Sequence, residues 1–315
     1  MAEEFPLQAY HNQGCSYREQ IRPQAADQTV LAYLSHHYPH SSTVEWQANI
    51  SAGLVLLNNS PAEPDSRLAC SDELVWNRPP WTEPPAPRGF GVIYEDNDLL
   101  AVTKPAGLPT LPGAGFHAST LLHLVQQCCP QAAPLHRLGR WTSGLVLCAK
   151  TAPARNGLMR QWSARKVVKQ YHALASGTLA EHQLTITAPV GPVPHPLLGS
   201  IYGSCPEGKP AHSVVTLLEQ RSDRFLCKVL ISTGRPHQIR IHLAAAGHPL
   251  VGDPLYGSGG LPIPGSMALP GDPGYYLHAA ELGFRHPISG EAMTLHSPPP
   301  SILQLGYLPG RDCPA

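Results

Sequence analysis

The chain has 315 residues, 42% of them hydrophobic, and 22 Lys and Arg balance 22 Asp and Glu. That excludes a chain disordered throughout and a protein coated in positive charge, while leaving room for a local basic cleft. The eight cysteines form no CxxC pair and the 17 histidines no HExxH, so neither a disulfide framework nor a zinc site is indicated.

The amino terminus, MAEEFPLQAY, is acidic and lacks a signal-like apolar core, and no run approaches the roughly 20 apolar residues of a membrane span. A cytoplasmic monomer without membrane contact, cofactor or metal is expected. Residues 1–26 show no periodicity and read as a loose arm. Val30, Leu31 and Leu34 have helical spacing before Pro39, and a second helix fits Thr43 to Ser51. Leu54 to Leu57 read as a strand turning at Asn58-Asn59, and Leu68 to Trp76, with its DELVW, closes a small unit over residues 27–83. This order, with AGLVLLNN and SDEL, resembles a degenerate S4-type RNA-binding domain. Its charge is unusual for one: Asp27, Glu45, Glu63, Asp65, Asp72, Glu73 and Glu83 face only Arg67 and Arg78. A structural or protein-contacting remnant is the alternative.

The proline-rich PPWTEPPAPRG, residues 79–89, reads as a stiff linker into a second domain over 84–315. Val92 to Tyr94 and Leu99 to Thr103 are expected strands around Asp96-Asn97-Asp98, followed by Lys104-Pro105-Ala106-Gly107. Thr120 to Cys128 reads as an amphipathic helix. Then comes LHRLGRWTSGLVLCAK, a basic turn with His136, Arg137 and Arg140 leading into an unbroken apolar run, Leu145 to Ala149. Such a run reads as a strand buried on both faces. Thr151 can cap a helix with Pro153 in its first turn, ending near Ala164. No acid occurs between Asp98 and Glu181, so Arg155, Arg160, Arg165, Lys166 and Lys169 give that stretch one sign of charge. Lys169-Gln170-Tyr171 opens a strand, and Gly208-Lys209-Pro210-Ala211 precedes a strand pair, Val214 to Glu219 and Phe225 to Ser232. TGRPHQIRIHLAAAGHPLVGDPLYG follows, read as a turn and a helix from His237 that stops at Gly247, with Ile239 and Leu243 on the buried face and Arg240 off it. Residues 258–274 form a Gly/Pro-rich loop at the rim of a site, and LHAAELGFRHPISG closes the domain.

Four of these stretches, KPAG, HRLGRWTSGLVLCAK, KQY and TGRPHQIRIHL…GHPLVGDPLYG, resemble in order the motifs of the large-subunit-type (RluA-type) RNA pseudouridine synthases. The likeness covers about residues 88 to 303. It implies an α/β (α+β) pseudouridine synthase core with a bent mixed or antiparallel sheet and a central cleft. The implied activity is isomerisation of uridine in structured RNA, rRNA or tRNA. By the same likeness Tyr171 would stack on a flipped uracil and Arg235 would hold the nucleophilic aspartate ionised. His136, Arg137, Arg140, Lys104, Lys169, Lys209, His237 and Arg240 would bind RNA. The departures are Pro236, where Thr is common, and Gly139, where the family has that aspartate. A small cavity facing Arg235 is expected beside Gly139. Two function classes stay open: a synthase acting through a displaced carboxylate, and a synthase-fold RNA-binding protein or RNA chaperone without catalysis.

Overall fold

The computed structural model describes residues 5–307, which fall into two units, Tyr10–Glu83 and a larger one formed by residues 84–307 together with residues 5–9. In the small unit, strand β1 (Cys15–Gln20) precedes helices α1 (Val30–His37) and α2 (Thr43–Ser51). Strands β2 (Val55–Leu57), β3 (Ser60–Pro61) and β4 (Glu73–Arg78) follow. The helices start where Thr29 and Ser42 accept backbone N–H bonds with their side chains, and Ser42 and Glu45 close a reciprocal capping box. Asn58 and Asn59 both take positive φ, the backbone that a two-residue hairpin turn requires.

The loose arm expected over residues 1–26, of which 1–4 lie outside the described residues, is not what forms at Cys15–Gln20: β1 pairs antiparallel with β4, Tyr17 opposite Trp76. Only the edge of the sheet receives it. Its residues therefore stay mostly exposed, and the apolar alternation that announces a strand is missing.

The large unit is built on a ten-stranded mixed sheet. Its strands in chain order are β5 (Gly91–Glu95), β6 (Leu99–Lys104), the two-residue strand Ala133–Pro134 that pairs with the next, β7 (Ser143–Ala149) and β8 (Val168–Ser176). After the separate hairpin of β10 (Val190–His195) and β11 (Gly199–Ser204), which β9 (Gln183–Ile186) precedes, come β12 (Ser213–Arg221), β13 (Arg224–Ile231), β14 (Leu277–Arg285) and β15 (Ala292–His296). Along the sheet they run β9-β12-β13-β8-β14-β7-β6-β5. β7 and β14 are parallel neighbours and the remaining pairs are antiparallel. Helices α3 (Leu121–Cys128), α4 (Ala152–Ser163) and α5 (Gln238–Ala245) complete the unit, α3 and α4 capped by Thr120 and Thr151.

The run Leu145 to Ala149 is 0–2% exposed throughout, because β7 lies inside the sheet with a packed layer on each face. In β13 the aromatic and aliphatic side chains from Phe225 to Ile231 are buried except Leu230, and Ser232 lies outside the strand, exposed. Gly144 cannot be replaced: its φ is +106°, and a Cβ there would stand 2.3 Å from the Ala279 carbonyl oxygen of β14. The glycine of the TSG triplet thus sets how closely β7 and β14 approach. Ser143 beside it donates to His278 Nδ1 at 2.8 Å, while His278 Nε2–H donates to the Ser297 carbonyl. No helix among the described residues is long and apolar enough to cross a membrane.

Candidate active site

Two loops are zipped together first. Lys104, fully buried, donates to the carbonyl oxygens of Pro105, Leu108 and Arg140 at 2.9, 2.8 and 3.0 Å, which satisfies all three ammonium donors. Burial, and then the nearby Arg140, pushes its pKa well below the usual lysine range. Arg140 Nε donates back to the Gly107 carbonyl at 3.0 Å, Arg140 Nη2 to that of Pro85 at 2.9 Å, and the guanidinium lies 4.7 Å from the Phe116 ring centroid. Thr110 adds a pair of bonds to the backbone of Leu138. KPAG and HRLGR therefore form one structural element. This corrects the expectation for Lys104, whose ammonium is enclosed and fully satisfied by backbone carbonyls; Arg140 is half-buried, held by two backbone carbonyls, and lies outside the cleft lining described next.

Where this element meets β8 and the end of β13 there is a cleft of about 400 Å³ lined by His136, Arg137, Trp162, Arg165, Lys169, Tyr171 and the segment Ile231–Arg235, among others. The segment is held from below by Gln238, 3% exposed, whose Oε1 accepts from Thr233 Oγ1 and the Arg235 amide while Nε2 donates to the His212 carbonyl and Ser213 Oγ. That satisfied network presents Arg235 at the rim, half-buried, with Nε on the Pro210 carbonyl at 3.1 Å. Lys169 donates to the Thr233 carbonyl, and burial and then Arg165 lower its pKa. Burial alone raises the Tyr171 phenol to about 12, so it remains protonated at neutral pH. His136 stacks on Trp162 with centroids 5.2 Å apart, and its Nε2 accepts the Leu147 amide at 3.0 Å. Burial, and then Lys169, lowers its pKa to about 4.

Arg137, Arg165, Lys169 and Arg235 give this cleft four cations, and no Asp or Glu lines it. None of the four makes an ion pair among the described residues. A concave, acid-free, cationic site with an aromatic floor suits a phosphodiester backbone and an unstacked base. Trp162 was not legible as a member of it. Its only signal is an aromatic in the last turn of a helix within the acid-free stretch.

Gly139 does not face Arg235 across a cavity. A Cβ built on Gly139 would meet Tyr275 Oη at 3.1 Å and Thr142 Oγ1 at 3.3 Å. Those two oxygens are themselves 3.3 Å apart, in hydrogen-bond contact. Tyr275, 5% exposed, stacks on Arg240 with the guanidinium 4.1 Å from its ring centroid. Arg240 in turn grips Asp253 with two 2.7 Å bonds, and both side chains are nearly inaccessible at 2% and 0%. The cation behind Gly139 is thus Arg240 and not Arg235. Arg240 is neither off the buried face of α5 nor an RNA contact, because all of Gln238–Ala244 is buried.

Arg240 Nη1 also donates to the Pro270 carbonyl, and Trp141 Nε1 to that of Gly271, so the loop over residues 258–274 is fastened beside this pair. Lys209 is exposed next to Pro210, and His237 is half-buried at the start of α5; neither is among the lining residues. Sequence reading assigned no role to Tyr275 or Thr142. Tyr275 carries no local signal, since its partners come from the far side of the domain.

Because Gly139 is not at positive φ, aspartate fits the backbone there, and only the Tyr275 and Thr142 oxygens must give by a few tenths of an ångström. Gly139→Asp is therefore expected to fold, with a loss of about 1–2 kcal/mol from overpacking partly offset by reduced unfolded-state entropy. Its carboxylate is expected to settle toward Arg240. A midpoint shift in urea unfolding checks this, and a variant recovered only as aggregate would refute it.

The match to known proteins follows this anatomy. A family model described as RNA pseudouridylate synthase matches residues 98–245. A Synechocystis protein described as an uncharacterized RNA pseudouridine synthase is 39% identical, the alignment covering 87% of this chain and 95% of that protein. RNA pseudouridine synthase 5 of Arabidopsis thaliana is 35% identical over 93% of this chain and 95% of the relative. Ribosomal large subunit pseudouridine synthase D of Neisseria meningitidis serogroup B is 35% identical over 86% and 75%. In fold, human RNA pseudouridylate synthase domain containing 1 superposes with a TM-score of 0.52 at 24% identity, over 69% of this chain and 87% of that one. The ten-stranded mixed sheet, the cationic cleft and these relatives converge: the chain belongs to the large-subunit-type RNA pseudouridine synthase family.

Proposed function

We propose that the protein isomerises uridine to pseudouridine in a structured ribosomal or transfer RNA, in the cleft between the HRLGR loop and β8. The observation that carries this reading is Tyr171 in an acid-free cleft with Arg137, Lys169 and Arg235. The isomerisation breaks the N1–C1′ bond and joins C5 to C1′, so the uracil must leave its stack, and an aromatic face with cations for the flanking phosphates meets that need. The reaction is redox-neutral and calls for no electron carrier. Residues 27–83 are read as a degenerate S4-like unit whose acidity suits protein contact better than phosphate contact.

A second reading, an RNA-binding protein or chaperone without catalysis, is favoured by the phenol of Tyr275 beside the place of the family's carboxylate. Tritium release from RNA labelled at uridine C5 separates the two. Wild-type release above a no-enzyme control is expected, and Tyr171→Leu should lower it by roughly 10- to 100-fold, the worth of one base–aromatic stack. Tight RNA binding with no release, for wild type over a broad RNA pool, would establish the chaperone reading instead.

A further inference from the structure

The synthase reading leaves one group to be found: what accepts the ribose proton that the family's aspartate would take. No carboxylate lines the cleft. Asp253 is fully buried, and its oxygens are taken by Arg240 and by the amides of Leu255 and Tyr256. Asp272, in the rim loop, accepts the Leu269 amide. Of the imidazoles, His136 lines the cleft and His237 lies two positions after the lining residue Arg235. His136 has no lone pair to give, because its Nε2 accepts the Leu147 amide and a neutral ring then carries its proton on Nδ1.

His237 is different. Tyr256 Oη donates its single proton to the Tyr202 carbonyl at 2.7 Å, so in its 2.7 Å bond to His237 Nδ1 the oxygen can only accept. Nδ1 therefore carries a proton, and Nε2 of the neutral ring is an unprotonated nitrogen with no hydrogen bond among the described residues. The residue stands at the N-cap of α5 in the left-handed conformation, φ 55° and ψ 19°, without using its side chain to cap the helix. A non-glycine residue held there is a strained feature of the kind that gathers at working sites. It lies two positions after Arg235, which lines the cleft, and its ring is close enough to Arg137, another lining residue, to feel that charge.

We propose that His237 Nε2 is the proton acceptor of the reaction, standing in for the aspartate that Gly139 lacks. This inference rests on the synthase reading. In the first step the C2′ proton passes to Nε2, the C2′–H electron pair forms C1′=C2′, and the N1–C1′ pair departs with uracil N1. The uracil then turns, its C5 bonds to C1′ while Nε2 returns the proton to C2′, C5 releases its own hydrogen to water, and N1 takes a proton from water. The sum is an isomer of uridine, with nothing oxidised or reduced.

The groups around the ring are consistent with this role. Burial, then Arg240 and Arg137 against the opposing charge of Asp253, lowers the His237 pKa to about 4. That keeps the imidazole neutral at physiological pH.

His237→Asn is the discriminating variant. Its amide nitrogen can keep the bond to Tyr256, asparagine tolerates the left-handed backbone, and no basic nitrogen remains. The expected result is unchanged thermal unfolding and RNA binding within threefold, with kcat for tritium release down roughly 10²- to 10⁴-fold. Adding Gly139→Asp to that variant should return part of the turnover. Tyr256→Phe, which loses the same hydrogen bond but keeps Nε2, should stay within tenfold of wild type. Turnover by His237→Asn within threefold of an active wild type would overturn the proposal and leave the synthase reading intact. Equal losses in Tyr256→Phe and His237→Asn would also overturn it, showing that the bond matters and not the base. A wild type that binds RNA but releases no tritium would end the synthase reading, and this inference with it.

Discussion

Arg240→Ala is expected to destabilise the protein by roughly 3–5 kcal/mol, the largest single-residue effect the structure implies. Arg240 and Asp253 are 2% and 0% exposed and joined by two 2.7 Å bonds, so truncating one leaves the other charged and enclosed without solvent. The Asp253 carboxylate would retain only the amides of Leu255 and Tyr256. The rim loop would lose the bond that ties Pro270 to the core, and Tyr275 the cation stacked on its ring. Urea unfolding of Arg240→Ala, Asp253→Asn and the double variant checks this as a cycle. The double variant should be less damaged than the sum of the two singles, because no unpaired charge remains. Strict additivity would show that the pair is not coupled.

Stability should also fall steeply as pH drops from about 6.5 to about 4. His136, His237 and His278 have pKa values lowered to about 4, burial being the first cause in each, with Lys169, Arg240 and, for His278, the adjacent His172 and Lys104 adding to it. A histidine lowered on folding binds its proton in the unfolded chain at about 6.5 but in the folded chain only near 4. Between those values the unfolded state takes up more protons and gains, so stability is lost as the solution acidifies. Each of the three contributes up to about 1.4 kcal/mol per pH unit, on the order of 3 kcal/mol across the window. Their sum approaches the 5–15 kcal/mol that holds an ordinary domain folded. Thermal unfolding at pH 7.5, 6.5, 5.5 and 4.5 is expected to show a midpoint that falls progressively through the last three. His278→Asn, which removes the most enclosed of the rings, should flatten the curve. A midpoint constant down to pH 4.5 would mean that these rings protonate without resistance.

What the sequence determined by itself is what short-range physics writes into it. Thr43–Ser51 is a helix because a serine cap and a glutamate three residues later close its first turn. Asn58-Asn59 turns because asparagine accepts positive φ. Leu145 to Ala149 had to be a central strand because only a strand covered on both faces can use an unbroken apolar run. The motif order likewise carried the family; Tyr171, in strand β8, and Arg235, in the turn before α5, both line the cleft.

What only the tertiary structure decided is where each charge ends. Lys104, Arg140, Arg235 and Arg240 read alike in a sequence, as cations within the motifs that resemble the family. In the fold the first two are consumed by carbonyls, the fourth by Asp253, and Arg235 alone reaches the cleft. Whether a long basic side chain meets water, backbone or acid depends on which distant segment covers it, and no local pattern records that. The same holds for the emptied position at Gly139. Its neighbour Tyr275 meets Thr142 from 133 residues away, brought there because β14 packs parallel to β7 at the spacing that Gly144 permits.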